Sequence, residues 1–282
     1  MVKPYEGLCI VIVGPTGSGK TGVAIEIARE VSHGLKTGVF SRSYTANGND
    51  FDGIKGAEII SADSRAIYKG MDIGTAKPTL EEQAAAVHYG LDLVEPGERF
   101  TVSDWKEMAE QKIREIRAKG KVPIVVGGTG LYIDALVFDY QFRGKTGEKA
   151  TDNATKEQKM CSDRQEMVSG YKIFGIKWDN DELKNRLAKR LDKLFVQDLY
   201  DETETLVKKY GWGSQAMTSD IYRFAWGYME GEYSLEKAKE LCLYQDYHLA
   251  KRQITWFKRN HQICWLPLDK IKPAVLKCIQ DG

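Results

Sequence analysis

The chain has 282 residues, 42% of them hydrophobic and 29% charged, enough to bury the core of one large domain or two modest ones in a soluble globular protein. Lysine and arginine total 41 against 40 acidic residues, so the overall charge selects no partner; yet residues 141–282 carry 25 basic and 21 acidic side chains where residues 1–140 carry 16 and 19, a tilt of the second half toward an anionic partner. Five cysteines without C-x-x-C spacing and four dispersed histidines argue against a zinc cluster and for a reducing compartment, and without a signal-like leader or an apolar run of membrane-spanning length the expectation is a cytoplasmic protein off the membrane, monomeric by default.

The first predicted strand covers residues 8–13 and runs into Gly14-Pro15-Thr16-Gly17-Ser18-Gly19-Lys20-Thr21, after which a helix begins. Strand, loop and helix in that order fit the G-x-x-x-x-G-K-[ST] pattern. Its glycines let backbone N–H groups turn inward around phosphate oxygens, Lys20 adds a mobile positive charge, and Thr21 offers a hydroxyl to Mg²⁺. The helix points the positive end of its dipole at the same anion. Residues 32–56, rich in glycine, read as a long excursion, either a lid or a decoration, with Asn47-Gly48 as the turn of a small hairpin.

Residues 57–62 form the second predicted strand and deliver Asp63-Ser64-Arg65 to its C-terminal end. Ligands of open α/β sheets sit outside the carboxyl ends of the strands, so Asp63 shares a rim with the phosphate loop. There it serves as a general base, a metal partner or the N-cap of the next turn. A short strand is expected over 91–94. An amphipathic helix follows over 102–119, with Trp105, Met108, Ala109, Ile113 and Ile116 at helical spacing, and Gly120 ends it. The buried strand 122–126 closes in Gly127-Gly128-Thr129-Gly130 and a helix over 131–138. A standard P-loop ATPase ends this strand in Asp or Glu to help hold magnesium. Here either the backbone and the Thr129 hydroxyl face the cleft, or the glycines only make a tight strand-to-helix connection. The alternation predicts an α/β fold, a P-loop-type, mostly parallel sheet with helices on both faces.

Three parts follow: residues 1–140 as the α/β core, 141–170 as a polar, weakly periodic insertion or linker, and 171–282 as a last strand with a helical remainder. The strand is expected over 171–178. Asp179-Asn180-Asp181-Glu182 is a capping-box signature, and Leu183, Leu187, Leu191, Leu194, Leu199 and Leu206 mark one long helix or two in series. Further helices over 218–229 and 235–260 make the last third helical. Within it, Lys251-Arg252-Gln253-Ile254-Thr255-Trp256-Phe257-Lys258-Arg259 interleaves cations with two aromatics. Such a face suits a nucleic-acid groove, or equally an amphipathic helix burying Ile254 and Phe257 with its cations solvated.

Residues 14–21, Ile59-Ile60-Ser61-Ala62-Asp63-Ser64, Tyr68-Lys69-Gly70-Met71-Asp72-Ile73-Gly74-Thr75-Ala76-Lys77-Pro78, Val125-Val126-Gly127-Gly128-Thr129-Gly130-Leu131-Tyr132 and Ala250-Lys251-Arg252-Gln253-Ile254-Thr255-Trp256-Phe257 together resemble the tRNA dimethylallyltransferase (tRNA isopentenyltransferase) family. The resemblance implies that Gly14 through Thr21 hold the diphosphate of dimethylallyl diphosphate, with Mg²⁺ at Thr21. The dimethylallyl group then passes to N6 of the adenosine just 3′ of the tRNA anticodon, and pyrophosphate leaves. By the same match Asp63 is the general base, Lys20 and Arg223 of Tyr222-Arg223 steady the leaving charge, and Thr129 lies near the adenosine. Asp63, Ser64, Arg65, Ala66, Thr129, Lys251 and Arg252 would face the anticodon stem-loop, whose target base must leave its stack.

The chain departs from that family in three places. Ile221 stands where the family has Gly before the Tyr-Arg pair. The usual helical insertion is reduced to residues 141–170, with Ser162-Asp163-Arg164 as a remnant of its basic stretch, and the excursion at 32–56 is extra. An adenylate isopentenyltransferase, acting on a free nucleotide with a similar loop, is the alternative within prenyl transfer, and the Lys251–Phe257 block leans away from it. A nucleoside or nucleotide kinase is the alternative of another class, and the glycine-terminated strand leans away from that.

Overall fold

The computed structural model describes residues 7–37, 54–142, 166–214 and 216–281. The Asn47-Gly48 hairpin, most of the 32–56 excursion and most of the 141–170 insertion, Ser162-Asp163-Arg164 included, lie outside them.

Strand β1 (Cys9–Val13) is buried along its whole length, as a run of Cys, Ile and Val in the middle of a parallel sheet must be. Its alternate side chains serve two cores: Ile10 and Ile12 pack beneath helix α1 (Lys20–Thr37), while Cys9, Val11 and Val13 face the opposite layer. β2 (Ala57–Ser61), β3 (His88–Tyr89), β4 (Val122–Gly127), β5 (Tyr171–Ile176) and β6 (Cys264–Leu266) complete the sheet. The order is β3-β2-β4-β1-β5-β6, and every pairing is parallel. The expected α/β architecture is therefore present, with the chain from 171 onward adding two strands to the same sheet.

Helix α2 (Leu80–Ala85) follows a reciprocal capping box between Thr79 and Glu82. α3 (Val102–Ala118), capped by Thr101 and Asp104, and α4 (Gly130–Val137) cover one face of the sheet. The helical remainder comprises α5 (Asn180–Leu194), α6 (Gln197–Tyr210), α7 (Asp220–Met229), α8 (Leu235–Phe257) and α9 (Leu268–Asp281). α9 packs on α1 and finishes the other face through Ile271, Val275 and Ile279. α6, α7 and α8 build a separate apolar cluster, which reaches back to Ile67, Tyr68 and Met71.

Three expectations need correction. Residues 91–94 are not a strand: Gly90 and Asp92 adopt φ of +82° and +51°, which breaks an extended run, and the sheet edge is instead His88–Tyr89, with Val94 only bridging Tyr68. The last third is not wholly helical, because Cys264–Leu266 is too short to show a period in the sequence yet pairs with β5. Asp179 caps α5 by accepting the Asp181 amide at 2.9 Å, without the reciprocal bond of a box. The alternative of two leucine-rich helices in series is the one observed. No described helix is long and apolar enough to cross a membrane.

Candidate active site

The glycine-rich loop lies between the C-terminal end of β1 and the start of α1, on the rim that the parallel strands share. Gly17 and Gly19 take φ of +72° and +87°, positions that L side chains avoid. Two carbonyls of the loop are held from outside: Arg186 Nε donates to Gly17 O at 3.1 Å and Trp178 Nε1 to Ser18 O at 3.0 Å. Arg186 also stacks over Trp178, 4.5 Å from the ring centroid. With these carbonyls bound on the outside, the loop is held in one conformation around the space where an anion would sit.

Two amides of the loop are already taken, that of Ser18 by Pro15 O at 3.2 Å and that of Thr16 by a side chain of α8. Thr16 N donates to Gln253 Oε1 at 2.8 Å, and Gln253 Nε2 donates to Gly128 O at 3.0 Å, so one carboxamide from α8 joins the phosphate loop to the turn after β4. The glycines of that turn are needed for packing. A Cβ on Gly128 would fall 2.5 Å from Gln253 Nε2, and one on Gly130 would fall 2.3 Å from Trp256 Cδ1. Of the two readings of Gly127-Gly128-Thr129-Gly130, both hold in part: the glycines admit α8, and Thr129 lines the cleft.

Asp63 and Thr129 come together across Ser64. Thr129 Oγ1 accepts the Ser64 amide at 3.0 Å and donates to Ser64 Oγ at 3.2 Å. Asp63 Oδ1 accepts the Arg65 amide at 2.8 Å. The local cap therefore exists, and it orients the Asp63 carboxylate. Arg65 reaches across to Ala216 O and Thr218 Oγ1. Lys20 Nζ donates to Pro15 O at 3.2 Å. Burial pushes the Lys20 ammonium down to about 8, with Arg190 adding to the fall and Asp63 opposing it.

The residues 71–78, the most distinctive block of the sequence, are pinned by Glu202 of α6. Its carboxylate accepts the amides of Asp72, Ile73 and Gly74 at 2.9, 2.8 and 2.9 Å and the Tyr222 hydroxyl at 2.7 Å. Lys77 is buried and bridges Asp72, Asp92 and Tyr68 O.

Two cavities open on this rim. One, of about 530 Å³, is bounded by Gly17, Gly19, Lys20 and Thr21 of the loop, by Ala66 and Thr75–Pro78, and by Arg186, Lys189, Arg190 and Lys193 of α5. The other, of about 880 Å³, is bounded by Ser64, Arg65, Thr129, Leu131 and the α8 face bearing His248, Lys251, Arg252 and Trp256. Thr16, Lys20, Asp63, Thr75 and Arg190 line both. They form a waist between an anion-binding end and a wider, basic, partly aromatic end. Thr21 and Asp63, both hard oxygen donors on the smaller cavity, suit Mg²⁺, which binds through a few protein oxygens plus phosphate and water. Among the described residues no cluster of three or more His, Cys, Asp or Glu side chains offers a closed metal site.

Most of the residues singled out from sequence thus meet on one rim. Lys251 and Arg252 are exposed on the wider cavity. Phe257, by contrast, is 2% exposed in the core, and Trp256 donates to Asp134 at 2.8 Å beneath the Arg259 guanidinium, so neither aromatic is a free stacking platform. Arg223 lies exposed in the first turn of α7 and lines neither cavity. The α5 cations and Gln253 escaped the sequence reading. The signal available for the former was their spacing: Arg186 and Arg190, four apart, stand beside the leucine stripe of a helix that follows the strand next to β1.

The model of a family described as IPP transferase matches residues 66–169 and 144–260. A tRNA dimethylallyltransferase of Acetivibrio thermocellus is 35% identical over 311 aligned positions, covering 93% of this chain and 92% of that protein. One of Staphylococcus haemolyticus is 31% identical, covering 93% and 86%. The crystal structure of a tRNA delta(2)-isopentenylpyrophosphate transferase from Staphylococcus epidermidis superposes with a TM-score of 0.73 at 29% identity, over 98% of this chain and 99% of that one. A eukaryotic dimethylallyltransferase captured acting on tRNA shares the fold at a TM-score of 0.69 and 18% identity, over 96% and 77%.

Proposed function

The chain belongs to the IPP transferase family, and from that premise we propose that it transfers a dimethylallyl group from dimethylallyl diphosphate to N6 of the adenosine just 3′ of a tRNA anticodon. The observation that carries this is the waist. Lys20 of an anion-binding loop and the Asp63 carboxylate line the two cavities where they meet, so a donor diphosphate and an acceptor base can approach each other there.

The bond between the dimethylallyl carbon and the diphosphate oxygen breaks, and its electron pair leaves with pyrophosphate. The N6 lone pair forms the new carbon–nitrogen bond, and the proton N6 sheds passes to Asp63, already oriented by the Arg65 amide. The loop amides and Lys20 stabilise the charge that grows on the leaving group. Mg²⁺, held by Thr21 and the diphosphate, would neutralise part of that charge. Thr129 and Ser64 stand where the extruded base would enter, and Arg65, Lys251 and Arg252 offer cations to the RNA backbone. Such work places the protein in the cytoplasm, with tRNA as its macromolecular partner.

The test incubates the protein with Mg²⁺ and radiolabelled dimethylallyl diphosphate against unmodified tRNA and, separately, AMP. Label entering tRNA alone is expected. Label entering AMP alone would move the chain to the free-nucleotide enzymes, and nucleoside-dependent release of ADP from ATP without prenyl transfer would replace the reading with a kinase. Asp63→Ala is expected to lower turnover by roughly 10²–10⁴-fold with tRNA affinity nearly unchanged; lost affinity at unchanged turnover would remove Asp63 from the proton-accepting role.

A further inference from the structure

We propose that Gln253 is a positioning residue for the transfer: its carboxamide sets the spacing between the phosphate loop and the Thr129 turn, and so aligns donor with acceptor. The assignment rests on the prenyl-transfer reading for what is aligned and on the hydrogen-bond geometry for the bridge. β1 and β4 are paired as far as Val13 and Gly127. Past that end one strand runs into the loop at Gly14 and the other into Gly128-Thr129-Gly130, so the two segments leave the ladder where the chemistry begins. Gln253 of α8 spans them, accepting the Thr16 amide at 2.8 Å and donating to Gly128 O at 3.0 Å. A carboxamide suits this place because it carries an acceptor and a donor side by side in one plane, and its two partners, an N–H and a C=O, dictate which way round it sits.

Each end of the bridge leads to a group the transfer uses. Thr16 belongs to the loop that carries Lys20, and both line the two cavities. Gly128 precedes Thr129, whose hydroxyl accepts the Ser64 amide at 3.0 Å beside Asp63. The helix that bears Gln253 is itself anchored to the turn and to α4. Trp256 donates to Asp134 Oδ2 at 2.8 Å, Arg259 pairs with the same carboxylate at 3.3 Å, and Gly130 packs against the Trp256 ring, where a Cβ would fall 2.3 Å from Cδ1. The C-terminal part of α8 and the turn therefore form one unit, and Gln253 is the arm by which that unit holds the donor loop. Reacting atoms tolerate little error of placement: a shift of about 1 Å costs on the order of 10²-fold in rate.

The test compares the wild type with Q253M, which keeps the length but neither polar group, and with Q253E, whose carboxyl reproduces the acceptor and donor of the amide only when protonated. Steady-state prenyl transfer, calorimetric affinities for tRNA and for pyrophosphate with Mg²⁺, and amide exchange are measured on each. Q253M should lower kcat by about 10- to 100-fold with both affinities nearly unchanged. In Q253E burial beside the Gly128 carbonyl favours the protonated carboxyl, so its deficit relative to the wild type at the same pH should shrink as pH falls from about 8 to about 6. Pyrophosphate should slow amide exchange over 127–130 in the wild type and not in Q253M. Wild-type kcat in Q253M would overturn the assignment, as would a Q253E deficit that matches Q253M at every pH, and lost affinity at unchanged kcat would reduce Gln253 to a structural support of the loop. A wild type that transfers no prenyl group would sink the functional reading and leave Gln253 to be judged on the exchange arm, where equal protection of 127–130 in Q253M would remove the bridge.

Discussion

Lys20 shows how one buried charge ties chemistry to pH. Its folded value near 8 lies below the ordinary lysine value of 10.5, so between the two the unfolded chain binds more protons. Its penalty on stability is therefore full below pH 8 and relieved as pH rises toward 10.5. For the anion the sign is opposite: the ammonium that attracts pyrophosphate is present below about 8 and lost above it. Pyrophosphate affinity, measured by calorimetry from pH 7 to 9.5, should fall through about pH 8 although the ligand gains charge over the same range, and Lys20→Arg, always charged, should flatten the break. An unchanged wild-type affinity across that range would show that Lys20 does not carry the anion.

At the scale of the element, the 71–78 segment has no regular structure of its own and depends on α6 and α7. Glu202 gathers three consecutive amides and a tyrosine hydroxyl, and Gly74 lies flat on the Tyr222 ring, where a Cβ would come within 2.5 Å. In Glu202→Gln one of the two accepting oxygens becomes an NH₂ turned toward N–H donors. With charge-assisted bonds each contributing about 1.5–3 kcal/mol, the variant should lose roughly 2–4 kcal/mol in urea denaturation, and amide exchange at 72–74 should quicken more than in β1. Wild-type exchange at those amides would show that the segment stands without Glu202. α8 works similarly at long range: Gln253 and Trp256 leave no room for a side chain at Gly128 and Gly130, while Gly127 is closed off by Ala62.

Over the whole molecule, charge is nearly balanced, yet cations converge on one rim. α5 turns Arg186, Lys189, Arg190 and Lys193 to the smaller cavity, and α8 and the Asp63–Arg65 segment turn Lys251, Arg252 and Arg65 to the larger one. A net +1 thus conceals a directional field suited to an anionic chain. Each single-strand phosphate contact contributes about 0.7 to the slope of log affinity against log salt. The Lys251→Gln, Arg252→Gln double variant should therefore flatten the salt dependence of tRNA binding by about 1.4, with pyrophosphate affinity unchanged. An unaltered slope would take these two residues off the RNA path.

What the sequence determined by itself is whatever rests on neighbours in the chain. The phosphate loop is legible because its glycines, Lys20 and Thr21 are contiguous and act largely through their own backbone, and the parallel sheet because its two middle strands, β1 and β4, are unbroken apolar runs. Asp63 and Thr129 could be placed on the rim because both end strands of that sheet. Tertiary structure alone decided the rest. Gln253 meets Thr16 across 237 positions, Glu202 holds Gly74 across 128, and Arg190 lines both cavities while Arg223 lines neither. Local patterns fix which face of a helix is apolar, but which polar side chain then reaches a given cavity depends on packing between distant segments, and no period in the sequence records that.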